Sequence, residues 1–294
     1  MGAANVIPGV SGGTIALITG IFERLINAIK SFDFEALRLL LQFKFKEFSS
    51  KVDLYFLLIL FSGAAVGVLS FARIFDYFFT HYPIYIWALF MGLILASVFF
   101  VIKTINHWNV SVVISLSIGL IISVSISLMT PMSENDAILY LFLCGVVAIC
   151  SMILPGLSGS FVLVLMGNYQ LIVIDAVNHL NIKILIPVAA GAGFGLLVFS
   201  HILAYIYRKF RNQTIAVLSG FIMGSLMILW PWKNEIYKLT SLGGFLLKKN
   251  GEKILAGYSW YIPHINNESL IAFGFILAGI LIIYFIEKIS AKSH

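Results

Sequence analysis

The sequence predicts an all-α polytopic membrane protein made of two inverted-topology repeats, each with one re-entrant helical hairpin plus about three transmembrane helices. Three observations lead there. Hydrophobic residues make up 60% of the chain, charged residues only 11%, and the mean hydropathy is +1.00, well outside globular composition. Apolar runs recur at close to the ~20 residues that a spanning helix needs. A short motif, Pro-Gly-x-Ser-Gly, occurs twice, each time running into an apolar segment: Asn5-Val6-Ile7-Pro8-Gly9-Val10-Ser11-Gly12-Gly13-Thr14 and Ile153-Leu154-Pro155-Gly156-Leu157-Ser158-Gly159-Ser160. Pro8 and Pro155, Ser11 and Ser158, Gly12 and Gly159, and Gly20 and Gly167 all match at one offset of 147 residues. Four gapless matches point to a duplicated, interrupted membrane helix.

The first repeat, residues 1–130, opens with a re-entrant motif at 5–29. A basic interfacial segment follows at 31–52, where phenylalanines and leucines interleave with Arg and Lys and suit an amphipathic position on the cytoplasmic leaflet. Spans are expected at 54–71, 84–102 and 110–129. The second repeat, residues 131–294, begins with a hairpin at 137–177, broken at Pro155-Gly156. Proline and glycine end a helix there and free backbone groups that lipid cannot satisfy. Such a break belongs inside protein or against a wet cavity, which favours a re-entrant hairpin over two full spans. Further spans are expected at 184–207, 214–229 and 270–286. The apolar stretch 137–154 precedes the second motif and the first has no counterpart. That predicts either that Met1 is an internal methionine of a longer natural chain or that this copy is shortened.

Smaller repeats accompany the motifs. Gly63-x-x-x-Gly67 matches Gly191-x-x-x-Gly195 at an offset of 128, and Phe90-Met91-Gly92 resembles Ile222-Met223-Gly224 at 132. The GxxxG pairs read as packing contacts between helices. An odd number of spans per half inverts the second half, and the charges agree. Lys30, Arg38, Lys44, Lys46, Lys51, Lys103, Arg208, Lys209, Arg211, Lys288 and Lys292 fall on one side, against only Arg73 and Lys183 in the short loops opposite. The first side is expected to be cytoplasmic, with the C-terminus there and the two hairpin tips meeting near the midplane, as in inverted-repeat transporters. The net charge of +6 then reflects loop bias, and no nucleic acid is expected. The loop 231–269, with Trp230 just before it and Trp232, Tyr258, Trp260 and Tyr261 within it, has the aromatics of a headgroup-level belt and suits a cap over the outer opening.

A helix that starts inside the membrane aims unpaired N–H groups and the positive end of its dipole at one spot. With glycines admitting close approach and hydroxyls adding donors, the motif suits a phosphate or carboxylate. The candidate phosphate-binding residues are Pro8, Gly9, Ser11, Gly12, Gly13, Thr14 and Arg24 in the first half. Pro155, Gly156, Ser158, Gly159 and Ser160 are their counterparts in the second. The same glycines and serines would also serve tight helix packing. The Gly-Lys-Ser/Thr ending of a nucleotide-binding loop is absent. Glu23 and Arg24 form an ionisable pair that is expensive in a membrane unless functional or placed at the interface. Asn5, Glu23, Tyr169 and Gln170 are candidates for orienting or coupling, and Asp175 is a weaker titratable candidate. Arg73 and Asp76, three apart, read as a surface ion pair. Cys144 and Cys150 read as packing residues. No catalytic constellation, metal-ligand spacing or cofactor motif stands out, so no enzyme, metal or cofactor is expected.

The first motif with its Gly20-Ile21-Phe22-Glu23-Arg24-Leu25 ending, and the second motif Pro155-Gly156-Leu157-Ser158-Gly159-Ser160, resemble the signature of the bacterial domain-of-unknown-function 368 family. That family includes PopT-type undecaprenyl-phosphate translocases. The resemblance spans almost the whole chain; it departs at Asn5, where many relatives carry an acidic residue. It implies a bacterial inner-membrane flippase that returns a polyprenyl phosphate from the outer to the cytoplasmic leaflet for cell-wall and other envelope synthesis. Apart from the resemblance, a homo-oligomer is one of the arrangements left open. The other readings are a transporter or channel for a small soluble anion and, less favoured, a membrane lipid phosphatase.

Overall fold

The structure, a computed structural model, describes residues 12–129, 131–177, 179–237 and 255–290. The first motif's Asn5, Pro8, Gly9 and Ser11 lie outside the described residues, as do the side chains of Arg73 and Asp76. The protein is mainly helical. Four short helices come first: α1 (Gly12–Ile18), α2 (Phe22–Lys30), α3 (Phe34–Leu41) and α4 (Phe45–Lys51). Three long ones follow: α5 (Leu54–His81), α6 (Pro83–Lys103) and α7 (Val110–Leu128). Next come α8 (Ile138–Ile153), α9 (Gly159–Leu165) and a π-helix (Gln170–Ala176). The chain closes with α10 (Ile182–Lys209), α11 (Arg211–Leu229), a strand pair and α12 (Asn267–Ser290).

Five described helices, α6, α7, α10, α11 and α12, are long and apolar enough to cross a membrane. The start of α5, Leu54–Gly67, joins them when taken with α4, from which it bends by 68°. This is a polytopic membrane protein. Its helix ends follow local chemistry. Asp33 accepts from the Ala36 N–H at the start of α3, Asn109 accepts from the Val112 N–H at the start of α7, and Pro83 opens α6. Helix α5 runs ten residues past the apolar run at 54–71, through Tyr77 and Phe78 to His81, whose Nδ1 lies 2.9 Å from the Tyr77 carbonyl.

Small residues let the helices approach closely. Helix α7 packs along α11, α8 along α10 and α6 along α12. Gly119 faces the Val217 backbone, Gly191 the Phe142 backbone and Gly92 the Ile276 backbone, each leaving no room for a Cβ. Ser123, buried on α7, donates across the interface to the Phe221 carbonyl at 3.0 Å. Gly191 and Gly195 therefore do pack a helix, namely α8, whereas a Cβ at Gly63 would meet open space.

The chain is not purely helical. Strands β1 (Lys233–Tyr237) and β2 (Leu255–Trp260) form an antiparallel pair inside the 231–269 loop, Lys233 opposite Trp260, with an irregularity between Ile236 and Tyr237. The all-α class stands, with this one short strand pair as an addition that the sequence reading did not include. Neither Lys233–Tyr237 nor Leu255–Trp260 alternates apolar and polar residues for long enough to announce a strand, and pairing outside the apolar spans satisfies their backbones. Trp260 Nε1 donates to the Met227 carbonyl at 2.9 Å and Trp230 Nε1 to the Tyr261 carbonyl at 3.1 Å, tying the hairpin to the end of α11. The Lys233 ammonium sits 3.7 Å from the centre of the Trp87 ring on α6.

Candidate functional site

The two motif regions share one local geometry. Helices α1 and α9 each end in a glycine of positive φ, Gly20 at +72° and Gly167 at +75°. In the first copy Gly20 N–H donates to the Leu17 carbonyl and Ile21 N–H to the Ala16 carbonyl. In the second, Gly167 donates to Val164 and Asn168 to Leu163, at the same offset of 147. Both are glycine-terminated helix ends that satisfy otherwise orphaned carbonyls. A new helical segment then starts in each, with Leu25 N–H on the Ile21 carbonyl and Ile172 N–H on the Asn168 carbonyl. The offset pairs Glu23 with Gln170 and Arg24 with Leu171.

The second motif is a sharp turn between α8 and α9, which fold back against each other. Pro155, Gly156 and Leu157 are buried, Ser158 is half-buried and Ser160 exposed. Gly156 has φ +84°, and a Cβ on it would lie 2.6 Å from the backbone of Phe221 and Ile222 on α11. A Cβ on Gly159 would lie 2.6 Å from the Ala148 carbonyl oxygen. Glycine is required at the first position by conformation and crowding together. The Ser158 and Ser160 hydroxyls are 2.8 Å apart, and neither Ser158 nor any other side chain caps α9.

The two motifs touch. The Gly156 N–H donates to Thr14 Oγ1 at 3.1 Å, between residues 142 apart in sequence. Thr14 is fully buried, with Gly12 and Gly13 buried beside it on α1, which packs against α6 and α8. An apolar core surrounds this junction: Phe22, Leu25 and Ile26 of α2, Leu203 and Tyr207 of α10, Ile215 and Leu218 of α11, and Leu157 of the motif itself.

Arg24 is engaged elsewhere. Its Nε donates to Asp53 Oδ2 at 2.6 Å and its Nη2 to Asp53 Oδ1 at 3.1 Å, while the guanidinium stacks 4.3 Å from the centre of the Phe56 ring. That hydrogen bond, before any other cause, holds the Asp53 carboxyl below its ordinary range. Asp53 itself takes a left-handed conformation, φ +50°, at the start of α5. The ion pair that the adjacent Glu23 and Arg24 suggest is thus made with Asp53, 29 residues on; Glu23 has no ion pair among the described residues. Lys51 bridges Asp33 at 3.0 Å and also contacts Glu35, tying α3 to α4. Tyr169 packs in the cluster between α8 and α10. Gln170 Nε2 contacts Asp175 Oδ1 at 3.5 Å in the π-helix, and Gln170 Oε1 and Asp175 Oδ2 are buried without a hydrogen-bond partner among the described residues. Cys144 is buried, Cys150 is half-buried and both are free. No group of metal-ligating side chains occurs among the described residues.

A bundle of apolar helices in which the described parts of two copies of one motif meet at a buried contact defines an integral membrane protein. A family model described as VCA0040-like, undecaprenyl phosphate translocase-like, matches residues 1–245, and the chain belongs to that family. It is 34% identical over 296 residues to a polyprenyl-phosphate transporter of Vibrio cholerae serotype O1, covering 99% of this chain and 94% of that protein. It is 28% identical over 250 residues to a polyprenyl-phosphate transporter of Staphylococcus aureus, covering 79% of this chain and 83% of that protein. No solved structure matches it.

Proposed function

We propose that the protein is a flippase for a polyprenyl phosphate, undecaprenyl phosphate being the expected substrate. It would carry the lipid from the outer to the cytoplasmic leaflet of the bacterial inner membrane, so that the carrier is reused in envelope synthesis. The carrying observation is the Thr14–Gly156 contact, which joins two copies of one motif in a chain whose relatives are named polyprenyl-phosphate transporters. The phosphate is held where the two motif copies meet, with Ser158 and Ser160 as hydroxyl donors and Ser11 as the matching residue of the first copy. The apolar tail stays in lipid.

Packing supports the inverted arrangement. If α6 corresponds to α11 and α7 to α12, the α7–α11 and α6–α12 interfaces become equivalents, and both are extensive and glycine-rich. Three long helices follow each motif region, and that odd number turns the second set over. Rocking one repeat against the other then exposes the junction to each leaflet in turn. Arg24, being paired with Asp53, serves as an electrostatic partner at the edge of the route; exchange of Asp53 for a phosphate would free it.

The test is transbilayer movement of undecaprenyl phosphate in proteoliposomes. Wild type should accelerate it over protein-free vesicles, and Ser158→Ala/Ser160→Ala should reduce the gain by about tenfold or more, the consequence of losing charge-assisted hydrogen bonds. Uptake of inorganic phosphate without lipid movement would instead establish a carrier of small soluble anions.

A further inference from the structure

A second amphiphile-shaped feature lies away from the motif junction. An apolar groove of about 1040 Å³ runs between the short helices α3 and α4 on one side and α8 and α10 on the other. Phe32, Leu37, Phe48, Phe61, Leu197 and Ile202 typify its walls, and Asp33 and His201 are its polar members. It exceeds the roughly 300–1,000 Å³ of ordinary small-molecule pockets and lacks the convergent polar groups such pockets use. On two of the same helices, α2 and α10, is a polar cleft of about 120 Å³ lined by Glu23, Asn27, Lys30, Tyr207 and Arg208 together with Ile26 and Ala204. The same two helices lead from groove to cleft. On α2, Ile29 faces the groove and Lys30 the cleft; on α10, His201 and Ile202 face the groove and Ala204 and Arg208 the cleft, about one to two turns on. Neither Lys30 nor Arg208 makes an ion pair with a described residue.

An apolar trough, with a cleft on the same two helices where Lys30 and Arg208 outnumber the one carboxylate, Glu23, fits a ligand with one anionic head and one long apolar tail. We infer that this groove and cleft form a second docking site for the carrier lipid, at the cytoplasmic leaflet, with the prenyl chain against α3, α4 and α10 and the phosphate between Lys30 and Arg208. The inference rests on the function proposed above. It adds a stage at which the lipid, having left the motif junction, is held before release into the inner leaflet. The Lys51 link to Asp33 and Glu35 holds α3 in place as one wall of the groove.

Gly193 offers a clean test, because it lines the groove and a Cβ added there meets nothing within 4 Å. Gly193→Phe fills the groove without a backbone clash. Gly274→Phe, at an exposed glycine of α12 with equally open surroundings, is the control. In proteoliposomes, Gly193→Phe should slow undecaprenyl phosphate about tenfold while leaving geranyl phosphate, whose tail is too short to need the groove, close to wild type. Lys30→Gln/Arg208→Gln should slow both lipids about tenfold, the loss of a charge-assisted contact. A chain-borne diazirine on undecaprenyl phosphate should label the 193–202 segment, and labelling should fall in Gly193→Phe. If wild type moves undecaprenyl phosphate and Gly193→Phe behaves like Gly274→Phe in rate and labelling, the docking site is refuted while the flippase reading stands. Equal competition for labelling by a diacyl phosphatidic acid would likewise refute it, showing a surface wetted by any lipid. Failure of wild type to move either prenyl phosphate would overturn both readings together.

Discussion

Thr14 is a polar side chain with no exposure, accepting from a backbone N–H of the other motif. A buried N–H left without its acceptor costs about 1–3 kcal/mol, so Thr14→Val, which keeps the shape, should lower unfolding free energy by that amount and slow transport. Thr14→Ser keeps the acceptor and should retain most of both; chemical denaturation in detergent beside a transport assay checks the pair. Gly156→Ala combines a disfavoured φ of +84° with a Cβ 2.6 Å from α11 backbone, and should be worse than Thr14→Val in the same measurements. The contact was illegible beforehand. The motif residues stood out by their repetition, but nothing in a one-dimensional pattern shows which residue of one copy meets which of the other across 142 positions. The same distance problem hid the partner of Arg24. Glu23 is its neighbour in sequence, yet Asp53 turns toward it from the left-handed start of α5.

At the scale of elements, the long apolar runs were plain in the sequence because a helix in lipid must satisfy its own backbone over some twenty residues. The strand pair was hidden because its stability comes from contacts with the ends of α6 and α11, which local pattern does not carry. The paired glycines 20 and 167 were legible as matched letters, and their positive φ supplies the reason for glycine. The link between α2 and α5 through Arg24 and Asp53 makes a pH prediction. Because the folded carboxyl is held below its ordinary value, the link persists above that value and is lost only as pH falls through the lowered one. An NMR titration of the Asp53 carboxyl should find its midpoint below the usual ~3.9, and Arg24→Gln should move it upward; an unchanged midpoint would mean that the pair does not form. Within the spans, Gly119→Leu should destabilise the α7–α11 interface by about 1–3 kcal/mol through overpacking, again read by denaturation.

For the whole molecule, the inverted arrangement makes a prediction about sides. Single cysteines at Lys46, Lys103 and Arg211, introduced with Cys144 and Cys150 replaced by alanine, should be shielded from an impermeant thiol reagent in intact cells. A cysteine at Lys183 should react. Lys183 shielded like the others would remove the inversion and with it the rocking mechanism. The bundle of apolar helices and the family are coherent with the proposed transporter, whose centre would be the contact between the two motif copies. That centre is also where the account is most directly exposed to measurement. Undecaprenyl phosphate flipping should be measured in proteoliposomes for wild type, Thr14→Val, Ser158→Ala and the double variant. The account predicts fast movement in wild type, losses in each single variant, and a double variant hardly worse than the poorer single, because residues of one site are not additive. Wild-type movement no faster than in empty vesicles, or rapid movement in all three variants, would contradict it.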